Sequence, residues 1–321
     1  MTPATGDTGF RALDRHGDRA LKRANEQESD DMVATVRQCD PSTYRTFQSP
    51  EFFEPDWRSF YVESYKRTVD FSTTTRSEMG IQYGEDAFHT LDIFAPEDAS
   101  DAPVLIFFHG GGFKEGHPSH YGYLGEEFVK RGAVFISAGY RFEPEHGYPD
   151  YVDDGAQVLK WAVDNVGRYG GSPDRIFASG HSAGANIVAL LGFRTDWNEK
   201  YSLPADVVKG LALASGGYDF SIVDPAYPDQ DVRPVQASIV HRIDTIPTSV
   251  LVGYGYPEAQ RVGQSPDFFR NQGQALVDAL AGHDFAPEVV EIPDTDHLRT
   301  GIALGDSASP FFTAVSRMIF T

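Results

Sequence analysis

The sequence is poor in cysteine: Cys39 stands alone among 321 residues, so no disulfide can close within the chain and no cysteine zinc site can be built. It has no apolar run of about 18 residues, the length a helix needs to cross a bilayer. The opening MTPATGDTGFRALDRHGDRALKR carries charges where an export signal needs an apolar stretch, which makes a cytoplasmic protein the expectation. Basic residues are the third shortage. Twenty-seven Lys and Arg face 47 Asp and Glu, a formal charge of -20, and such a field repels nucleic-acid phosphates and anionic membrane surfaces. Neither nucleic acid nor membrane is an expected partner.

What remains is a chain with 40% hydrophobic residues, enough to bury a core. Residues 1–38 are charged and show little apolar periodicity; they read as a surface arm, with two roles open, pairing of two copies or none. Residues 44–71 are dense in rings, among them Trp57, Phe60 and Tyr61, and should pack on something. From residue 89 onward short apolar runs alternate with longer helical stretches, the pattern of an α/β chain with a mostly parallel sheet and crossover helices. The strand candidates are residues 89–95, 103–109, 133–140, 175–180, 210–215, 249–255 and 288–293, all rich in β-branched or aromatic residues. Residues 151–170 form an amphipathic helix ending at a Gly pair that can supply a left-handed cap. Residues 217–245, with three prolines, fit neither pattern and read as an irregular insertion over the functional end of the sheet.

GHSAG, residues 180–184, lies directly after the strand RIFASG and directly before the helical run ANIVALLGF. A nucleophile on a sharp strand-to-helix turn needs small neighbours on both sides, and Gly180 and Gly184 provide them around Ser182. HGGGF, residues 109–113, ends another strand at the same edge of the sheet. Three successive glycines are entropically costly unless the backbone must approach something closely, here an oxyanion held by the amides of Gly111, Gly112 and Ala183. His109 reads as a support of that loop.

A serine hydroxyl needs a base, and in sheets of this kind the order along the chain is Ser, acid, His. That leaves His241, His283 and His297. His283 precedes its strand and His241 sits in the insertion, whereas His297 lies on the loop just past EVVEIP. The acid should follow SVLVGYG, where Glu258 comes three residues after Gly255. Asp267 has a ready alternative use at a helix start, and Asp294 and Asp296 flank the histidine too closely to point at it with ease. All three stay open behind Glu258.

Together these segments, with YRFEPEHGYPDYVDD at residues 140–154, resemble the α/β-hydrolase superfamily, in the carboxylesterase branch typified by hormone-sensitive lipase. SGGYDF (215–220), RPVQAS (233–238) and residues 258–264 look like the kynurenine formamidase, or arylformamidase, relatives. The resemblance spans about residues 85–321. It implies an α/β-hydrolase fold, Ser182 and His297 as catalytic pair, and oxyanion donors Gly111, Gly112 and Ala183. The acid departs from the branch's usual Asp, being Glu258.

The expectation is therefore an N-terminal arm and aromatic extension over residues 1–75 packing on a catalytic domain of residues 76–321. The chain should be a serine hydrolase of small, partly aromatic carboxylic esters, working through an acyl-enzyme without metal or organic cofactor. An aryl amidase or arylformamidase would use the same triad, and a non-catalytic binding protein on the same fold is the remaining alternative. Phe113, Tyr140, Trp57, Phe60 and Tyr61 are the candidate pocket residues. A small ester or amide is the expected partner, and a homo-oligomer is compatible with the sequence.

Overall fold

The computed structural model describes residues 57–222, 234–258 and 264–321, with backbone alone for residues 57–59. A helix, Trp57–Ser72, leads into strands β1 (Arg76–Gln82), β2 (Thr90–Ala95), β3 (Ala102–Phe108), β4 (Val134–Ala138), β5 (Gly171–His181), β6 (Val208–Ala214), β7 (Ser249–Tyr256) and β8 (Glu288–Pro293). They form one eight-stranded sheet in the order β1-β2-β4-β3-β5-β6-β7-β8. β2 runs antiparallel to β1 and β4, and every pair from β4/β3 onward is parallel. The expected mostly parallel sheet is therefore present. β1 is the strand that sequence reading missed: its burial alternates between exposed and half-buried, so RSEMGIQ carries no apolar run to announce it.

Parallel pairing decides where function can sit. In register, Phe108 faces Gly180, His181 faces Ala214, and Gly255 and Tyr256 face Ile292 and Pro293. The loops that leave β3, β5, β6, β7 and β8 thus all emerge along one edge of the sheet, where ligands of open α/β sheets bind.

Helices cover both faces, which is why β3 is buried at all seven positions. Val104, Ile106 and Phe108 enter one apolar cluster and Leu105 and Phe107 the other, the alternation that a strand's period of two imposes. The helix Ala183–Phe193 is buried at every residue, and the helix Asp150–Asn165 lies against it with Tyr151, Val158 and Leu159 inward. Full burial of each such aliphatic side chain contributes about 1.5–3 kcal/mol. On the opposite face the helix Pro310–Phe320 inserts Phe311, Phe312, Val315 and Ile319. The aromatic helix Trp57–Ser72 joins that cluster through Tyr61 and Phe71, the latter stacked on Phe94 at 5.0 Å. The Gly pair acts as expected: Gly170 has φ 80, and a Cβ there would lie 2.1 Å from the Ala99 carbonyl oxygen.

Of the insertion, residues 234–245 form two short 3-10 turns, Val235–Ala237 and Ile239–His241. Asn186, one turn beyond Ser182, donates to the carbonyls of Gly217 and Ala237 and ties the start of the insertion and a turn within it to the helix. Among the described residues no helix is long and apolar enough to cross a membrane.

Candidate active site

β5 turns into the helix Ala183–Phe193 through Ser182, which adopts φ 54, ψ -117. A non-glycine residue with positive φ is held there only by its surroundings. Those surroundings are two glycines without room for a side chain. A Cβ on Gly180 would lie 2.4 Å from the Gly184 carbonyl carbon, and one on Gly184 would lie 2.0 Å from the Phe108 carbonyl oxygen. Ser182 donates its amide to Ala214 on β6 at 2.9 Å, which fixes the turn to the next strand. Its side chain stays half-buried at the sheet edge. Ala183 opens the helix, so its amide belongs to the first turn and has no intrahelical acceptor. We predict that Gly184→Ala, which forces a methyl into the β3 backbone, destabilises the fold by about 3 kcal/mol, read as a lowered Tm by calorimetry.

The HGGGF loop packs on this turn. A Cβ on Gly110 would lie 3.2 Å from the Ser182 Cβ and 2.8 Å from the His181 Nδ1, so only glycine lets the loop approach so closely. Gly111, Gly112 and Phe113 follow with φ 129, 62 and 61, and the Lys114 amide closes the turn on the Gly111 carbonyl at 3.0 Å. His109 supports the loop from beneath: its Nδ1 donates to the Gly110 carbonyl at 2.7 Å, and its ring lies between those of Tyr121 and Tyr140. Burial pushes His109 down to about 3, so it is a neutral strut.

His297 begins the helix His297–Ile302, capped by the Asp296 side chain, which accepts from the Arg299 amide at 2.8 Å. His297 Nδ1 meets Glu258 Oε1 at 2.6 Å, and both side chains are buried. Glu258 Oε2 accepts from the Ser215 hydroxyl at 2.8 Å and from the Gly255 amide at 2.6 Å. Three partners on two oxygens hold the carboxylate in one orientation. Burial pushes the Glu258 carboxyl up to about 7, against the lowering by Ser215 and Gly255. The imidazole is clamped between Phe269, stacked at 4.0 Å and 12°, and His181, whose ring is 4.5 Å away. His181 is also pushed down to about 3 by burial and by the neighbouring His297, so no second cation stands beside the imidazole.

The alternatives have other duties. Asp296 caps a helix, Asp294 is exposed, and Asp267 sits before the helix Phe268–Ala281 facing Arg270 at 3.6 Å. His241 lies 3.8 Å from Asp219 near the surface, and His283 is exposed.

Three of the expected pocket residues are buried: Phe113, Tyr140 and Tyr61 are 3%, 0% and 3% exposed. Phe113 packs on Tyr151 at 4.4 Å, and the Tyr140 hydroxyl donates to the His109 carbonyl at 2.9 Å. Phe60 is half-buried against Tyr121. The Trp57 side chain lies outside the described residues. Sequence reading also passed over Ser215, Phe269 and His181. His181 lies inside GHSAG and Ser215 opens SGGYDF, which is a usable signal; Phe269 reads as any aromatic on a helix.

Comparison with known proteins agrees with this geometry. A family model described as alpha/beta hydrolase fold matches residues 105–300. The chain is 27% identical over 255 residues to kynurenine formamidase of Danio rerio, covering 78% of this chain and 84% of that protein. It is 37% identical over 97 residues to carboxylesterase NlhH of Mycobacterium tuberculosis, 30% of each chain. Among solved structures, esterase B from Lactobacillus rhamnosis superposes with a TM-score of 0.65 at 16% identity, over 91% of this chain and 94% of that one, a likeness of fold. The strand order, the glycine-flanked serine turn and a matched span of most of the sheet lead to one conclusion: this chain belongs to the alpha/beta hydrolase fold family.

Proposed function

We propose that the chain is a serine hydrolase of small carboxylic esters that works through an acyl-enzyme. The observation that carries the reading is the buried His297–Glu258 pair at 2.6 Å, on loops leaving the same sheet edge as the Ser182 turn. In the proposed reaction His297 Nε2 takes the Ser182 proton as Oγ attacks the carbonyl carbon. The amides of Gly111, Gly112 and Ala183 hold the oxyanion. The imidazolium then returns its proton to the departing alcohol, and water, activated by the same imidazole, releases the acid. Glu258 keeps the Nδ1 proton in place, so that Nε2 is the basic nitrogen, and stabilises the imidazolium. The acidic balance of the chain and its single cysteine support a cytoplasmic setting and a small substrate without strong negative charge.

A formamide is the second reading, favoured by a specific observation: the match to kynurenine formamidase covers 84% of that relative, whereas the carboxylesterase match covers 30%. The residues and steps are unchanged, with an arylamine as leaving group and a formyl-enzyme as intermediate. Kinetics on p-nitrophenyl acetate and on an N-formyl arylamine at one pH test both readings. A larger kcat/KM for the ester supports the first, a larger one for the formamide replaces it with the second, and turnover of neither defeats both.

The pH profile follows from Glu258. As pH falls through about 7 the carboxyl takes a proton and no longer holds an imidazolium, so kcat/KM should fall on the acid side along a limb centred near 7. A stopped assay from pH 5 to 9 checks this, and the limb belongs to the His297–Glu258 pair jointly.

A further inference from the structure

Behind the HGGG loop lies an acid that the reaction above does not use. Glu115 is 2% exposed, and its carbonyl oxygen lies 2.0 Å, and its Cγ 3.0 Å, from where a Cβ on Gly111 would stand. The Glu115 main chain and side chain therefore form the back wall of Gly111. Oε1 accepts from the Tyr61 hydroxyl at 3.4 Å, and Oε2 has no hydrogen-bond partner among the described residues. We propose that Glu115 is a positioning residue of the hydrolytic site, wedged behind Gly111, where it holds the oxyanion loop in place. This rests on the serine-hydrolase reading and on Gly111 as an oxyanion donor.

The surroundings explain why the charge matters. From the helix Trp57–Ser72 the facing group is Tyr61, whose ring stacks on His120 at 4.6 Å. His117 lies 5.8 Å from His120, and the His109 ring abuts Gly116, where a Cβ would lie 2.3 Å from it. Burial pushes His109 down to about 3, His117 down to about 4, and His120 well below its ordinary value. Lys114, next in the chain, is half-buried. The histidines around Glu115 are thus neutral at pH 7, and burial pushes Glu115 itself up to about 8. Below that pH the carboxyl is neutral. Above it, a carboxylate with no counter-charge among the described residues would stand behind amides whose task is to receive negative charge, and the site should weaken.

The experiment is the pH dependence of p-nitrophenyl acetate hydrolysis from 6 to 9.5 in wild type, Glu115→Gln, Glu115→Ala and Tyr61→Phe. Wild type should lose about tenfold in kcat along an alkaline limb centred near 8, a loss equal to about 1.4 kcal/mol. Glu115→Ala, which empties the space behind Gly111, should lower kcat about tenfold at pH 7 with KM unchanged. Glu115→Gln should restore that loss and remove the limb. Tyr61→Phe removes a hydrogen bond that favours the carboxylate, so its limb should move to higher pH, and this arm decides the matter if the glutamine variant does not fold. An alkaline limb that survives in Glu115→Gln, does not move in Tyr61→Phe, or is absent from an active wild type overturns the proposal. A wild type that turns over neither the ester nor an N-formyl arylamine at any pH sinks the hydrolase reading and the proposal with it.

Discussion

Replacing Ser182 with Ala should lower kcat on p-nitrophenyl acetate by at least about 10⁴-fold and leave the fold intact, because the substitution removes the nucleophile and nothing structural. The Ser182 amide bond to Ala214 and the two glycines that shape the turn do not involve the hydroxyl. Alanine also tolerates the φ of 54 no worse than serine does. Circular dichroism and Tm should therefore match wild type within error. The residual rate has a stated source: the amides of Gly111, Gly112 and Ala183 still polarise a bound carbonyl, and such a remnant is on the order of 10³ over water in serine hydrolases. Retention of more than a tenth of the wild-type kcat would assign the turnover to another group.

Glu258→Gln should lower kcat by about 10³–10⁴-fold, through orientation and not through loss of a reacting atom. The glutamine amide can satisfy Ser215 and Gly255 through its oxygen only by turning its NH2 toward His297 Nδ1. Nδ1 must then accept, the proton moves to Nε2, and the imidazole can no longer take the Ser182 proton. Stability should respond in the opposite sense. Glu258 is raised from its ordinary 4.5 to about 7, so the folded state holds a proton that the unfolded chain releases between those values. Its contribution is largest below about 4.5 and diminishes as pH rises through about 7. Glutamine does not titrate, so the Tm difference between variant and wild type should shift in favour of the variant as pH rises across that window. An equal loss of activity and Tm at pH 8 would mean that Glu258 is a structural prop.

These expectations rest on residues that the sequence made legible to different degrees. Six strands announced themselves because coverage on both faces demands apolar runs, as in PVLIFFH, whereas β8, exposed at four of six positions, and the helix Asp150–Asn165 showed through β-branched residues and an apolar stripe. β1 did not, since an edge strand with half-buried Ser77 and exposed Glu78 and Gln82 needs no such run. Ser182, His297 and the HGGG loop were legible because strained turns and sheet-edge loops have local grammar, glycine at fixed offsets and position after a strand. Glu258 was legible as a position, and its carboxyl lies at His297 Nδ1, 39 residues away in sequence. Depth was less legible: ring chemistry does not say how deep a ring sits, and Tyr140, Phe113 and Tyr61 are all but fully buried. Phe269 against His297 and Glu115 against Gly111 depend on how separate elements dock, which no local pattern records.

The central claim is a covalent intermediate on Ser182, and intact-protein and peptide mass spectrometry after incubation with a p-nitrophenyl phosphonate ester tests it most directly. One phosphonyl adduct per chain is expected, located on the peptide containing Ser182, formed in step with loss of esterase activity and absent from Ser182→Ala. Full inactivation with the adduct elsewhere, or an active enzyme that takes up no adduct, would contradict it.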